Sequence, residues 1–280
     1  MIDSRTKLTV LHDAAGVFTD YTKFAADYIR DPFTVTIAAA TGYLYLGFTK
    51  PFGAAYVELP TPSTTSTTFA AEYYDGAAWT ALTIDDESKA FQRSGYIFWD
   101  KTLMSSVSIN SNTKYYIRLR PSASTSATIV RGINLVFSDD VQLKQEFFDI
   151  DNTNILPPGE DSHISAHVAS RNFILQSLRN QGYIKSAESA TGSISDENIT
   201  QWDLHDLFEI RQAATYLALS KIFFNLSDAV DDHWWQKYQD YQDKYEGAMR
   251  LARLSLDKDD SGVEEVDENV QNAQPTRWNR

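Results

Sequence analysis

Apolar and polar positions follow two different periods along this chain, and the change falls near its middle. Before about residue 148, short apolar runs alternate with polar positions and are punctuated by Gly, Pro, Asn and Asp, which predicts strands. GYLYLGF (42–48) and AAYVEL (54–59) read as two strands separated by the turn signal TKPFG. TFAAEYY (68–74) runs through Asp75-Gly76 into AAWTALTI (77–84), and Asp-Gly between two such runs is a strong hairpin cue. KYYIRLR (114–120) alternates apolar with polar residues, and TIVRGINLVF (128–137) follows a Ser/Thr-rich loop. Strands at this spacing predict an antiparallel β-sandwich or jelly roll over residues 1–148.

The period then lengthens to about 3.6. DNTNILPPGED (151–161) predicts a linker over 149–160, because Pro157-Pro158-Gly159 continues neither a helix nor a strand. Behind it Ile164, Val168, Leu175 and Leu178 share one helical face, with Asp161 or Ser162 as cap and Gly182 as stop. A second helix is expected from Thr200 to Leu226, with Leu207, Ile210, Ala214, Leu217 and Phe224 on its apolar face. A third is expected from Asp231 to Leu256, with the stripe Trp234, Tyr238, Tyr241, Tyr245, Ala248 and Ala252. The organisation expected is thus a β domain (1–148), a linker (149–160), an α-helical bundle (161–258), and an acidic turn with an extended C-terminal arm (259–280).

Composition narrows the functions. A hydrophobic fraction of 42% and an aromatic fraction of 13% are those of a folded protein. A formal net charge of -13 disfavours general nucleic-acid gripping, which needs clustered Lys and Arg. With no cysteine, disulfides, thiolate chemistry and Cys-ligated zinc are excluded. The start, MIDSRTKLTVLHD, lacks the apolar core of a signal peptide, so a soluble, non-exported protein is expected.

Candidate chemistry is sparse, and no catalytic residues are assigned. The chain carries neither a Gly-rich phosphate loop nor a G-x-S-x-G elbow. His163 and His167 lie four apart in HISAH, but a zinc protease needs Glu where Ile164 stands, so a structural pair is the reading. Trp234, Trp235, Tyr238, Tyr241 and Tyr245, at helical spacing, are read as core or subunit interface. Tyr73, Tyr74, Trp79, Phe98 and Trp99 in the β half fit a sandwich filling or a glycan surface. LDKDDSGVEEVDE (256–268) matches a calcium loop at Asp257, Asp259, Ser261, Gly262 and Glu268. Glu264 replaces the usual aliphatic residue and no paired loop follows. A solvated turn that directs the chain away from the third helix is therefore the reading, with Ca2+ the alternative. Trp278 between Arg277 and Arg280 marks an assembly arm that docks on a partner.

The helical half resembles a known family. ISAHVASRNFILQSLRNQGYI, then AATYLALSKIFFNLSDAVDDHWWQKYQDYQDKYEGAMRLARLSLDKDDSG, is similar to the head-to-tail connector (adaptor) proteins of tailed bacteriophages. What carries the likeness is the order: a leading helix, a helix ending in KIFFNLSD, an aromatic-rich long helix, a D-x-D-x-x-G stop and a tail ending in Arg. YLYLGFTKPFGAAYVEL and AEYYDGAAWTAL look like a β-sandwich module of phage structural proteins, which typical adaptors lack. The resemblance implies a non-enzymatic virion protein of the neck, made in the host cytoplasm and assembled as a ring, commonly of twelve copies, beneath the portal protein. It also implies tail-terminator or other neck proteins as neighbours and genomic DNA passing through the ring without sequence-specific binding. The competing expectations are a tail, baseplate or receptor-binding protein whose β domain binds host glycan, and a carbohydrate-active enzyme.

Overall fold

The computed structural model describes residues 8–26, 28, 31–101, 104–181, 184–188, 194–204, 206–229, 232–252, 254–256 and 269–270, with the backbone alone for 184–188, 194–198 and 269–270. They form antiparallel sheets and several helices, in two compact units that divide between Leu135 and Val136.

The first unit contains β1 (Thr9–Ala14), β2 (Val17–Asp20), the short α1 (Thr22–Ala25), β3 (Phe33–Val35), β4 (Gly42–Phe48), β5 (Ala54–Glu58), β6 (Phe69–Tyr74) and β7 (Trp79–Leu82). It continues with β8 (Ile84–Asp86), β9 (Gly95–Trp99), β10 (Ser106–Ile109), β11 (Asn112–Pro121), β12 (Thr128–Val130) and β13 (Gly132–Asn134). One sheet has the order β2-β1-β4-β11-β6-β7, with β10 also on β11; a second runs β13-β5-β9-β8, and β12 pairs with β3. The hairpin expected at Asp75-Gly76 is present, with Tyr74 opposite Trp79. Asp75 closes it: Oδ1 accepts from the amides of Ala77 and Ala78 at 2.8 Å each, and Oδ2 from the Thr80 hydroxyl at 2.8 Å. Those bonds, led by the Ala78 amide, hold the Asp75 carboxyl below its usual pKa.

Strand positions follow the sequence closely, but sheet membership does not. β4 and β5 lie in different sheets, so TKPFG is a crossover and not a hairpin turn. TIVRGINLVF likewise breaks at Arg131, sending β12 and β13 to different sheets. All five residues of β5 are buried, so AAYVE is covered on both faces. Glu58 is tolerated there because the Tyr56 hydroxyl donates to its Oε2 at 3.2 Å.

On the large sheet, Val10, Leu44, Leu46, Ile117 and Leu119 form one fully buried face. On the other, Leu11, Tyr45 and Tyr116 are buried beneath half-buried Phe18, Tyr43, Trp79, Val107 and Ile109. Tyr116 is paired with Gly47, and a Cβ on Gly47 would lie 2.1 Å from its ring. That ring is fully buried and has no room to yield. Gly47→Ala is therefore expected to destabilise the first unit by about 1–3 kcal/mol, the usual cost of overpacking, as read by urea unfolding.

The second unit contains α2 (Asp140–Glu146), a 3-10 turn at Phe148–Asp151, α3 (Ile164–Asn180), and the paired β14 (Ile184–Glu188) and β15 (Ile194–Asn198). A second 3-10 turn at Gln201–Asp203 precedes α4 (Phe208–Leu226) and α5 (His233–Leu251), and β16 (Leu254–Ser255) pairs with β17 (Asn269–Val270). The core joins Leu143, Ile150 and Ile155 to Ala218, Leu219, Ile222, Phe223 and Tyr241.

Several expectations change here. The boundary lies at 135/136 and not at 148, because α2 carries Leu143 into the helical core. The segment 149–160 is no free linker: Ile150 and Ile155 are buried in that core. The second helix starts at Phe208, because Thr200 and Asp203 cap a 3-10 turn in a reciprocal box that ends at Leu204. The third stops at Leu251, where Ala252 turns extended. Its cap is Asp232, whose carboxylate accepts from the Trp235 amide at 2.6 Å. On α3, His167 takes the buried place expected for Val168, which is half-exposed. Its cap position is His163 and not Asp161 or Ser162, although Ser162 Oγ accepts from the Ile164 amide at 3.4 Å. Gly182, the expected stop, lies outside the described residues.

Candidate functional site

The two histidines of HISAH meet α2. Asp139 caps that helix, accepting from the amides of Val141 and Gln142, while Gln142 Oε1 accepts the Asp139 amide at 2.7 Å. The next residue, Asp140, reaches α3: its Oδ1 accepts from His167 Nε2 at 3.0 Å, and both its oxygens accept from the His163 amide at 3.1 and 3.2 Å. Ser138 Oγ lies 2.8 Å from His167 Nδ1, and His163 Nε2 donates to the Ile150 carbonyl at 3.1 Å.

Ser138, His167 and Asp140 thus form a Ser-His-Asp chain, and its geometry decides its role. In a hydrolytic triad the serine must meet a substrate. Here Ser138 is 0% exposed and the His167 side chain 1%. The set is a buried staple holding residues 138–151 on α3, as the structural reading of the pair expects. Burial lowers the His163 pKa, outweighing the Ile150 carbonyl and Asp140, which pull it up. For Asp140 burial acts upward, but the His167 hydrogen bond, both imidazoles and the His163 amide together bring its pKa below the usual carboxylate value. Among the described residues no three His, Asp or Glu side chains are disposed around a common metal position.

Beside the staple the second unit holds a cavity of about 930 Å³. Its walls are the loop from Thr153 to Pro158, His163, Ala166 and Ala169 of α3, Leu217, Lys221 and Phe224 of α4, and Tyr238 and Gln242 of α5. Lys221 is the basic side chain of this wall apart from His163, and burial pushes its pKa down. The aromatic stripe expected on α5 divides in two around this opening. Tyr241 and Tyr245 are buried core. Trp234, Trp235 and Tyr238 are half-buried, with Trp234 stacked on Phe223 at 5.6 Å.

Phe224, expected on the core face, is instead 53% exposed. Its ring sits 5.3 Å from Tyr238 and 6.4 Å from Trp235, which are 5.1 Å from each other. The reason is angular: Leu219 and Phe223 continue the stripe that α5 covers, while Leu217 and Phe224, seven apart, both face the cavity. KIFFNL carried the signal, because two adjacent phenylalanines on a helix do not point the same way.

The first unit carries a second aromatic cluster. The Arg118 guanidinium lies 4.4 Å from the ring centres of both Tyr43 and Trp79, and its Nε donates to Glu72 at 2.6 Å. Arg120 approaches Tyr43 at 5.7 Å, and Tyr74 meets Trp79 at 64°. Faces of Tyr43 and Trp79 are thereby given to cations. Tyr73 and Trp99 are buried, and half-buried Phe98 stacks on Tyr96.

Asp257, Asp259, Ser261, Gly262 and Glu268, and the arm residues Arg277, Trp278 and Arg280, lie outside the described residues. The flanks of the acidic segment are informative nonetheless. A calcium loop of this type is followed by a helix, whereas Asn269–Val270 is a strand paired with Leu254–Ser255.

No family model matches the chain, and no curated protein does. Two solved structures of a family 89 glycoside hydrolase from Clostridium perfringens, in complex with 2-acetamido-1,2-dideoxynojirmycin and with PUGNAc, align at 8% identity over 79% of this chain. Their TM-scores are 0.29 and 0.27, and the match spans 26% of the hydrolase, so this likeness carries neither fold nor activity to the chain.

Proposed function

We propose that this chain is a structural protein of a tailed-phage virion, a subunit of a ring-shaped head-to-tail connector that sits below the portal and forms part of the neck and DNA conduit. The observation that carries this reading is the aromatic surface of the second unit: exposed Phe224 with half-buried Trp235 and Tyr238, beside an apolar cavity. Aromatic residues clustered at the surface suit a subunit contact, and in a closed ring of about twelve copies each such surface is covered by a neighbour. The order of sequence segments that resembles connector proteins supports the same assignment.

In this reading the sheets of the first unit form a sandwich that decorates the neck, the helices form the ring-building bundle, and residues 259–280 form the arm. The net charge of -13 suits a conduit wall that does not retain DNA phosphates. The portal protein and the tail terminator or another neck protein are the neighbours. The function requires no catalysis. The glycan-binding alternative is weaker, because Tyr43 and Trp79 direct ring faces to Arg118, faces that a sugar would need for stacking.

Cryo-electron microscopy of the particle that carries this chain tests the proposal. A ring between head and tail is expected, and density at the baseplate or fibre tips would overturn it. Phe224→Glu is expected to reduce incorporation into the ring at least tenfold while leaving the unfolding midpoint of the free subunit unchanged, as measured by particle composition and thermal unfolding.

A further inference from the structure

We infer that the exposed Phe148 of one copy of this chain is the side chain that fills the helical cavity of a second copy, a knob and a hole carried on the same unit. The inference names the occupant of the surface read above as a subunit contact, and rests on that reading. The knob is the first observation. Phe148, two residues beyond α2, is 79% exposed, and the carboxylates of Glu146 and Asp149 beside it are exposed as well. Its neighbours hold it outward: the Phe147 ring lies 5.1 Å from that of Phe223, and Ile150 is buried in the core. Pinned on both sides, Phe148 cannot swing into the cavity of its own chain. Phe147 packs on Phe223, whereas the cavity is lined by Phe224, so knob and hole sit against different faces of α4.

The hole is the second observation. Leu217, Phe224 and Tyr238 give it apolar and aromatic walls, and about 930 Å³ is ample for a phenyl ring with the turn that carries it. Its charge is the third. The lining contains Lys221 and His163 but neither Asp nor Glu. The Lys221 amine rests 5.2 Å from the Phe173 ring, and among the described residues no carboxylate pairs with it. Asp151 is engaged by Lys144, which leaves Asp149 as the carboxylate next to Phe148 for the lysine of another copy. An aromatic anchor with an acidic flank thus meets an apolar hole with a basic wall. Because the two surfaces differ, each copy offers a knob to one neighbour and a hole to another, the head-to-tail contact from which closed rings are built.

Sedimentation velocity of the full chain over a concentration series tests the contact. Self-association is expected, and Phe148→Ser, which removes the knob, and Ala169→Trp, which fills the hole, are each expected to weaken it at least tenfold with the thermal midpoint unchanged. Mixing the two variants is expected to restore a 1:1 dimer and nothing larger, because one intact knob and one intact hole remain between them. A charge exchange supplies a second reading should Ala169→Trp disturb the fold: Lys221→Glu and Asp149→Lys are each expected to weaken association at least threefold, and the two combined to recover it. A native chain that stays monomeric throughout, Phe148→Ser that associates as the native chain does, or a charge exchange without recovery would each overturn the inference. A ring seen in the particle alongside any of those results would remove Phe148 as the occupant and leave the connector reading standing. Absence of the ring alongside a confirmed knob and hole would do the reverse.

Discussion

Phe223→Ala is expected to cost the helical unit about 3–5 kcal/mol, the range for truncating a large buried aromatic side chain. The side chain is fully buried, and its ring lies 5.1 Å from Phe147, 5.6 Å from Trp234 and 5.5 Å from Tyr241. It therefore joins the residues before α3 to both α4 and α5, and its removal leaves a void bounded by three other aromatic rings. One of those rings is anchored elsewhere: the Tyr241 hydroxyl donates to the Glu146 carbonyl at 3.2 Å. The cost within that range depends on how far the half-buried Phe147 and Trp234 move into the void. Denaturant unfolding followed by tryptophan fluorescence and circular dichroism measures it. The loss should fall on the helical transition and spare the β transition, because the divide at 135/136 gives each unit its own core. Equal shifts of both transitions would show that the units unfold as one.

The second large effect concerns the staple. Asp140→Ala removes the acceptor of both the His167 Nε2–H and the His163 amide, and a buried donor left without an acceptor costs about 1–3 kcal/mol. Asp140→Asn keeps one acceptor oxygen and is expected to lose less. The staple also sets the direction of the pH response. His163 has a folded pKa below its ordinary 6.5, so the unfolded chain takes up the proton first. Its contribution is present above about pH 6.5 and is lost as pH falls from there towards the folded value. Asp140 is likewise depressed below 3.8, so its contribution is present above that value and is lost as pH falls through the folded pKa.

The helical unit should therefore weaken in two stages on acidification, first through His163 and then through Asp140. The groups acting on His163 are Ile150, Asp140, His167 and Asp151, and none reverses the effect of burial. Urea midpoints measured from about pH 7.5 to 5 should slope downward in the native chain and flatten in His163→Gln. A native profile that is level over that range would remove the buried, neutral His163 from the account.

Local pattern determined much of this protein. The alternation in GYLYLGF specified β4 at its observed bounds, Asp75-Gly76 specified a hairpin, and the three-and-four spacing specified helices around Ile164, Ile210 and Tyr241. HISAH showed two imidazoles on one helical face, and the absence of Glu between them removed the zinc-protease reading. These features depend on neighbours within a few residues, where backbone geometry is the only constraint.

What tertiary structure decided were the choices that neighbours in sequence leave equal. TKPFG is compatible with a hairpin or a crossover, and the pairing of β5 with β9 and β13, strands distant in sequence, makes it the crossover. Asp140, 27 residues from His167, became its partner because Asp139 capped α2 and directed the next side chain at α3. Pro157-Pro158-Gly159 interrupted periodic structure as expected, yet Ile150 and Ile155 were drawn into the core, since packing rewards any apolar side chain within reach of a hole. Phe223 and Phe224 are chemically identical and adjacent. A rotation of about 100° along α4 puts one beneath α5 and the other at the mouth of a cavity, and only the position of the neighbouring helix assigns which is core and which is surface.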